Sequence, residues 1–230
     1  MCDTCGCGDR ELVAVEVHER ILAGNDAMAA HNRAHFVATD VLAINLMGSP
    51  GSGKTALLEA TARAGGGRLR LGAVSGDLAT DRDAVRLNRA GVPSRAITTG
   101  SACHLDAKLV HAALHDPPWG ALDVFFIENV GNLVCPAGFD LGEAGKVVLV
   151  SVTEGEDKPL KYPDMFHAAR LVLITKIDLL PHLEFDVAAL AANARAVNPR
   201  AEVLQVSART GAGLDAWYAW LAGRRADAGA

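Results

Sequence analysis

Short apolar runs alternate with stretches of helical spacing over most of this chain, and the alternation predicts its architecture. Apolar runs at 41–47, 69–75, 95–98, 124–127, 147–152, 171–175 and 203–206 read as buried parallel strands. Candidate helices fall between them, near 55–64, 81–90, 106–114, 186–197 and 213–221, giving the βαβ alternation of a three-layer α/β fold with a mainly parallel sheet. Ahead of the first strand, Val13, Val17, Ile21, Leu22 and Met28 recur at helical spacing. They predict one long amphipathic helix from Glu11 to about His35 that covers a face of the sheet, with Gly24-Asn25-Asp26 as the place where it would break. Residues 1–9 set sulfur-bearing and polar side chains around Gly6 and Gly8 and read as a flexible tail. The expected organisation is therefore a tail over 1–9, a helical segment over 10–38 and an α/β domain over 39–224. In such a sheet, ligands gather at the carboxyl ends of the strands.

Composition narrows the function. The chain has 230 residues, 50% hydrophobic and 5% aromatic, enough for one packed domain and too few for two of ordinary size. Lys+Arg total 22 against 27 Asp+Glu, a net charge of -5 spread without a charged tail, which sets a nucleic-acid grip aside. No apolar run approaches the roughly 20 residues that a bilayer requires, and Met1-Cys2-Asp3 opens without the positive region of an export signal. A soluble, cytoplasmic protein without a membrane partner is expected. The 5 cysteines are an odd number for a disulfide framework, and Cys2, Cys5 and Cys7 lie too close together for unstrained bridges, so reduced thiols available to a metal are the better reading.

The first strand runs into GSPGSGKT, which matches G-x-x-x-x-G-K-[ST] at every fixed position and is followed by a helical segment. Gly48, Gly51 and Gly53, with Ser49, Pro50 and Ser52 between them, let backbone N–H groups turn inward around a phosphate. Lys54 can reach the β and γ oxygens and Thr55 can place its hydroxyl on Mg2+. The alternative, a glycine-rich turn that merely starts a helix, lacks a reason for this context. Base choice is written later: Thr175-Lys176-Ile177-Asp178 follows the sixth run and is a relative of the N-K-x-D guanine motif, with Thr for Asn. Asp178 can accept from both guanine N1–H and the exocyclic amine, a pair of donors that adenine lacks on that edge. Lys176 can lay its stem along the base. Ser207-Ala208-Arg209 resembles the S-A-K segment that meets guanine O6. GTP is the expected nucleotide.

Two strand ends supply candidate catalysts. Glu128-Asn129-Val130-Gly131 looks like the second switch of a GTPase, with Gly131 able to offer its N–H to the γ-phosphate. Asp77 can hold Mg2+ through water or orient the attacking water. Asp81 and Asp83 read instead as acids at a helix start, where the dipole favours them, with Thr80 as the cap.

Cys103-His104 and Cys135 leave two of the predicted strand ends, so two thiolates and an imidazole can meet on the ligand side of the sheet. Three protein ligands leave a position open for release or sharing. A tetrahedral site suits Zn2+ and a square-planar one Ni2+; two small buried cysteines beside a helix-terminal histidine is the competing reading. Cys2, Cys5 and Cys7, with the α-amino group, form a second candidate set whose planar geometry Ni2+ accepts, or a tail that scavenges soft metals. The other histidines, among them His31 and His35 at i, i+4 spacing, read as scattered and solvated.

The ordered series CDTCGCG, GSPGSGKT, SGDLATDRDA, TTGSACHLDA, FFIENVGNLVCPAGFDLGE, SVTEGEDKPLKYP and TKIDLLP resembles the hydrogenase nickel-incorporation GTPases, the HypB family, over essentially the whole chain. The resemblance implies a cytoplasmic nickel metallochaperone with a P-loop GTPase fold that hydrolyses GTP, dimerises, and works with a HypA-like nickel protein to load the [NiFe] hydrogenase large subunit. It also favours Cys103, His104 and Cys135 as metal ligands. The histidine-rich stretch of some members is missing, which argues against bulk nickel storage, and Thr175 and Arg209 depart from the usual Asn and Lys. Competing readings are a urease-type accessory GTPase, whose Cys-Pro-His motif differs from Ala102-Cys103-His104, a P-loop kinase using ATP, and a metal buffer with a structural nucleotide site.

Overall fold

A computed structural model describes residues 10–65, 67–115 and 119–228, with side chains described from residue 22 to 227. The predicted tail with Cys2, Cys5 and Cys7 lies outside the described residues. Helix α1 (Arg10–Ala38) precedes β1 (Leu42–Gly48), α2 (Lys54–Gly65), β2 (Leu71–Asp77), α3 (Arg82–Arg89), β3 (Ser94–Thr98), α4 (Ala107–Leu114) and β4 (Val124–Glu128). The second half continues with β5 (Gly145–Ser151), the short α5 (Lys158–Lys161) and α6 (Pro163–His167), β6 (Leu171–Thr175), α7 (Val187–Val197), β7 (Glu202–Val206) and α8 (Leu214–Ala228). The strands form one 7-stranded sheet in the order β3-β2-β4-β1-β5-β6-β7, every pairing parallel. The expected three-layer α/β fold is what the chain adopts.

Alternation along the strands splits the core between two faces. Leu42, Ile44 and Leu46 of β1 pack with Leu57 and Leu58 of α2, Leu87 of α3 and Trp217 and Leu221 of α8. On the other face, Ala43 joins Phe36 of α1, Val110 of α4 and Phe125 of β4, while Val148 and Val172 meet Phe166 of α6 and Leu190 of α7. No helix among the described residues is long and apolar enough to cross a membrane.

Helix α1 corrects the expected break at Gly24-Asn25-Asp26, because it continues through all three. Asn25 is buried, its Nδ2 donating to the Asp140 carbonyl at 2.7 Å and its Oδ1 accepting from the Ala107 backbone N–H at 2.9 Å. A residue that reads as a breaker in isolation thus supplies hydrogen bonds to the start of α4 that a loop would not place. Thr80 is corrected too: Asp81 occupies the N-cap of α3 and makes no side-chain cap bond, whereas the Thr80 N–H donates to Asp77.

Candidate functional site

Registers place the carboxyl ends of the central strands together, with Leu46 beside Glu128 and Ser151 beside Thr175. From this edge β1 turns into the phosphate loop. Gly48 has φ 151°, and a Cβ there would stand 2.5 Å from the Leu149 carbonyl oxygen, so the first glycine of the motif is required sterically. Pro50, Gly51, Gly53, Lys54 and Thr55 line a cleft of about 570 Å³ that Asp77, Glu128 and Gly131 also face. Ser49 Oγ donates to Glu154 Oε2 at 2.6 Å, which braces the loop from the end of β5, and Ser52 is fully buried.

Lys54 Nζ curls back to the Gly48 and Ser49 carbonyls at 3.2 and 3.3 Å. Burial lowers its pKa against the opposing pull of Glu128, Asp83 and Glu154, so the ammonium is underpaired and suited to an anionic phosphate. Thr55 Oγ1 donates to Glu128 Oε1 at 2.6 Å. Burial raises the Glu128 carboxyl, with the Thr55 hydroxyl and Lys54 opposing, and its buried Oε2 has no hydrogen-bond partner of good geometry among the described residues. An orphaned buried carboxylate oxygen beside a hydroxyl fits a cation such as Mg2+. Asp77 at the end of β2 is held as an anion, below the usual carboxylate range, by the Ala79 and Thr80 N–H groups at 2.9 and 2.8 Å.

Gly131 lies hard against the loop: a Cβ there would meet Pro50 Cγ and N at 2.9 Å. The close approach puts the backbone after β4 within the phosphate cleft. Asp83 and Arg86 also face the cleft, where the sequence suggested only a helix-start acid; Arg86 pairs with Asp83 at 3.2 Å and with Glu59 at 2.9 Å. Glu154 was missed altogether. It stands in SVTEGEDKPLKYP, just past β5, and its position at a strand end was the available signal.

Beside the cleft is a second cavity of about 400 Å³, lined by Gly53, Thr175, Lys176, Asp178, Ala208 and Arg209. Lys176 adopts a left-handed conformation, φ 60° and ψ 33°, sparsely populated for a non-glycine residue and of the kind found at ligand sites. Ser207 is buried and its Oγ donates to Asp178 Oδ1 at 2.6 Å, which orients the carboxylate and leaves Oδ2 for a ligand. Thr175, the departure from Asn, bonds the loop directly, Oγ1 to the Ser52 carbonyl at 2.6 Å.

The metal candidates also converge. One ligand atom each from Cys103, His104 and Cys135 lies within 4.8 Å of the other two, and Cys103 Sγ is 3.8 Å from His104 Nδ1. Cys103 and His104 sit just before α4, whose Asp106 cap fixes the approach, and Cys135 opens a 3-10 turn, Cys135–Gly138. The neighbouring Cys135 thiol, then burial, raises the Cys103 pKa, and burial lowers that of His104, whose ring lies against Phe139 with centroids 3.9 Å apart and planes tilted by 32°. Two half-buried thiols and a neutral imidazole form a donor set suited to Zn2+ or Ni2+.

Residues 42–205 match the family model for the CobW/HypB/UreG nucleotide-binding domain. Hydrogenase maturation factor HypB of Azotobacter vinelandii is 56% identical over 214 residues, 92% of this chain and 70% of that protein. The crystal structure of hydrogenase maturation factor HypB from Archaeoglobus fulgidus is 41% identical with a TM-score of 0.82, covering 89% of this chain and 100% of that one. A crystal structure of HypB from Helicobacter pylori in complex with nickel, 38% identical, superposes with a TM-score of 0.84 over 89% of this chain and 96% of that one.

Proposed function

The chain belongs to the HypB family of hydrogenase maturation factors, and from that premise we propose that it is a GTP-hydrolysing nickel metallochaperone that helps insert nickel into [NiFe] hydrogenase. One observation carries the reading. The stretch from Glu128 at the end of β4 through Gly131 to Cys135 faces the phosphate cleft at one end and the Cys103–His104–Cys135 cluster at the other, so one length of backbone would link a bound nucleotide to a bound metal.

In this reading the loop 48–55 binds the triphosphate, with Lys54 on the β and γ oxygens and the Gly131 N–H on the γ-phosphate. Thr55 would hold Mg2+, with Asp77 contributing through water and the Glu128 oxygen close by; the ion supplies charge neutralisation at the phosphates. Asp77, anionic at neutral pH, is placed to orient the attacking water, and Glu128 to position Thr55. Lys176, Asp178, Ser207, Ala208 and Arg209 would recognise guanine. Cys103, His104 and Cys135 would hold Ni2+ or Zn2+, and Cys2, Cys5 and Cys7 of the tail Ni2+.

The open coordination positions suit ligands from a second copy, which supports a homodimer. A groove of about 1030 Å³ is lined by His104 and Cys135, and a HypA-like nickel protein would approach the cluster from this side on the way to the hydrogenase large subunit. Work of this kind belongs in the cytoplasm. The division into a tail over 1–9, a helical segment over 10–38 and a GTPase domain over 39–224 is part of the same proposal. Phosphate release measured with GTP and with ATP tests it: turnover confined to GTP is expected, and equal turnover of ATP, or none of either, would refute it.

A further inference from the structure

Away from the Cys103 cluster, two histidine pairs from different helices meet. His31 and His35 lie on α1, and His111 and His115 on α4 and its C-cap. Ring centroids are 4.9 Å apart for His31 and His111, 4.4 Å for His111 and His115, and 5.9 Å for His35 and His115. The sequence spaces these residues as solvated helix faces, yet the α1–α4 packing turns both pairs into one seam. One ring nitrogen each from His31, His111 and His115 falls within 4.8 Å of the other two. His31 and His115 are exposed, so burial does not force the rings together.

The environment of His111 prepares it as a ligand. Asn32 is fully buried, and its Nδ2 donates to the Ala107 and Leu141 carbonyls at 2.8 and 3.1 Å. Two carbonyl partners fix the amide orientation and make Oδ1 an acceptor. Oδ1 lies 3.0 Å from His111 Nδ1, so Nδ1 carries the proton and Nε2 keeps its lone pair. A ring N–H bonded to an amide or carboxylate oxygen while the other nitrogen is free is the arrangement that supports metal-bound histidines. Burial, then the neighbouring His115, His31 and His35, lowers the His111 pKa, which leaves the ring neutral at neutral pH.

We propose that His31, His111 and His115 form a separate metal site at the α1–α4 seam, binding Zn2+ or Ni2+ through three imidazole nitrogens with the remaining position open to water. An all-nitrogen donor set disfavours Mg2+ and Ca2+, which take oxygen ligands. Zinc–nitrogen bonds of about 2.0–2.1 Å require the nitrogens to draw in by at most roughly 1.5 Å, which rotation of the exposed His31 and His115 rings can supply. His111 and His115 stand about 6 and 12 Å along α4 from its first residue, on the 1.5 Å rise of a helix, so an ion held there is distinct from one held before the helix by Cys103 and His104.

The test is a Zn2+ titration of the full chain followed by histidine-ring 15N resonances, with bound zinc measured after dialysis. The His111 Nε2 resonance should shift as zinc binds. The double variant His31→Ala, His115→Ala, which changes only exposed side chains, should lose one zinc per chain while retaining the cobalt–thiolate absorption of the Cys103 cluster in Co2+-loaded protein. A His111 resonance unmoved at saturation, or a double variant holding as much zinc as the parent, overturns the site. Loss of the thiolate absorption along with the zinc would assign the effect to the cysteine cluster and overturn it equally.

Discussion

The side-chain amide of Asn132 donates to the Cys103 carbonyl across 3.3 Å while its own backbone pairs with Gly48 of the phosphate loop. In the proposed function, a shift of the segment after β4 on gain or loss of a γ-phosphate would therefore pull on both loops that carry the proposed metal ligands. Switches of this order-and-release kind couple two sites with reciprocal effects. Nickel titrated into a Cys2→Ser, Cys5→Ser, Cys7→Ser protein should bind with affinities differing about 5- to 150-fold between GDP and a non-hydrolysable GTP analogue. Asn132→Ala should shrink that ratio and Cys135→Ser should remove it; equal affinities in the parent would leave the cluster a static site.

In the proposed function, base choice would rest on Asp178. Its replacement by Asn should weaken GTP by about 1–3 kcal/mol per unpaired polar group and favour xanthosine triphosphate, because the amide can donate to the 2-oxo group of xanthine. Competition binding with the two nucleotides reads the preference directly. An unchanged preference for GTP would make Asp178 a loop residue held by Ser207 alone.

Phosphate and tail metal should separate cleanly. Lys54→Ala leaves the phosphate charge without its cationic partner, so hydrolysis should vanish while nickel bound per chain stays the same. Cys2→Ala or Cys5→Ala should do the reverse, lowering nickel after dialysis with turnover nearly intact. Nickel content that ignores both cysteine changes would dispose of the tail site.

Asp123, just before β4 at the amino end of that strand, joins Arg70 and Arg225 in an acid-sensitive contact. It accepts from Arg70 N, Nε and Nη2 at 2.7, 3.0 and 2.8 Å and meets Arg225 Nη2 at 3.0 Å. The Arg70 side-chain hydrogen bond, first among these, pulls its pKa from 3.8 to about 2. Because the folded pKa is depressed, the stabilisation is present above the unfolded value and is lost as pH falls toward the folded one. Asp123→Asn should cost about 1.5–3 kcal/mol at pH 7 by urea unfolding, the range for bonds to charged groups. The gap from the parent should narrow below about pH 4; a gap that is constant with pH would deny the charge its part.

What the sequence determined by itself is local. The glycine pattern and Lys54-Thr55 specify a phosphate loop because the positive φ it needs is a property of single residues in a row, as Gly48, Gly51 and Gly53 display. Apolar runs specify strands, and a βαβ alternation specifies a parallel sheet, because each follows from periodicity and burial. The tertiary structure decided what depends on neighbours far apart in the chain. It kept α1 whole through Asn25, whose amide bonds are made with Ala107 and Asp140, and it brought Asp83 and Arg86 to the cleft and Glu154 to Ser49 of the phosphate loop. It also set Cys135 beside Cys103 and gathered His31, His111 and His115 into one seam. Strand order and helix packing choose those partners, and no spacing within a single helix or loop encodes which other element will lie against it.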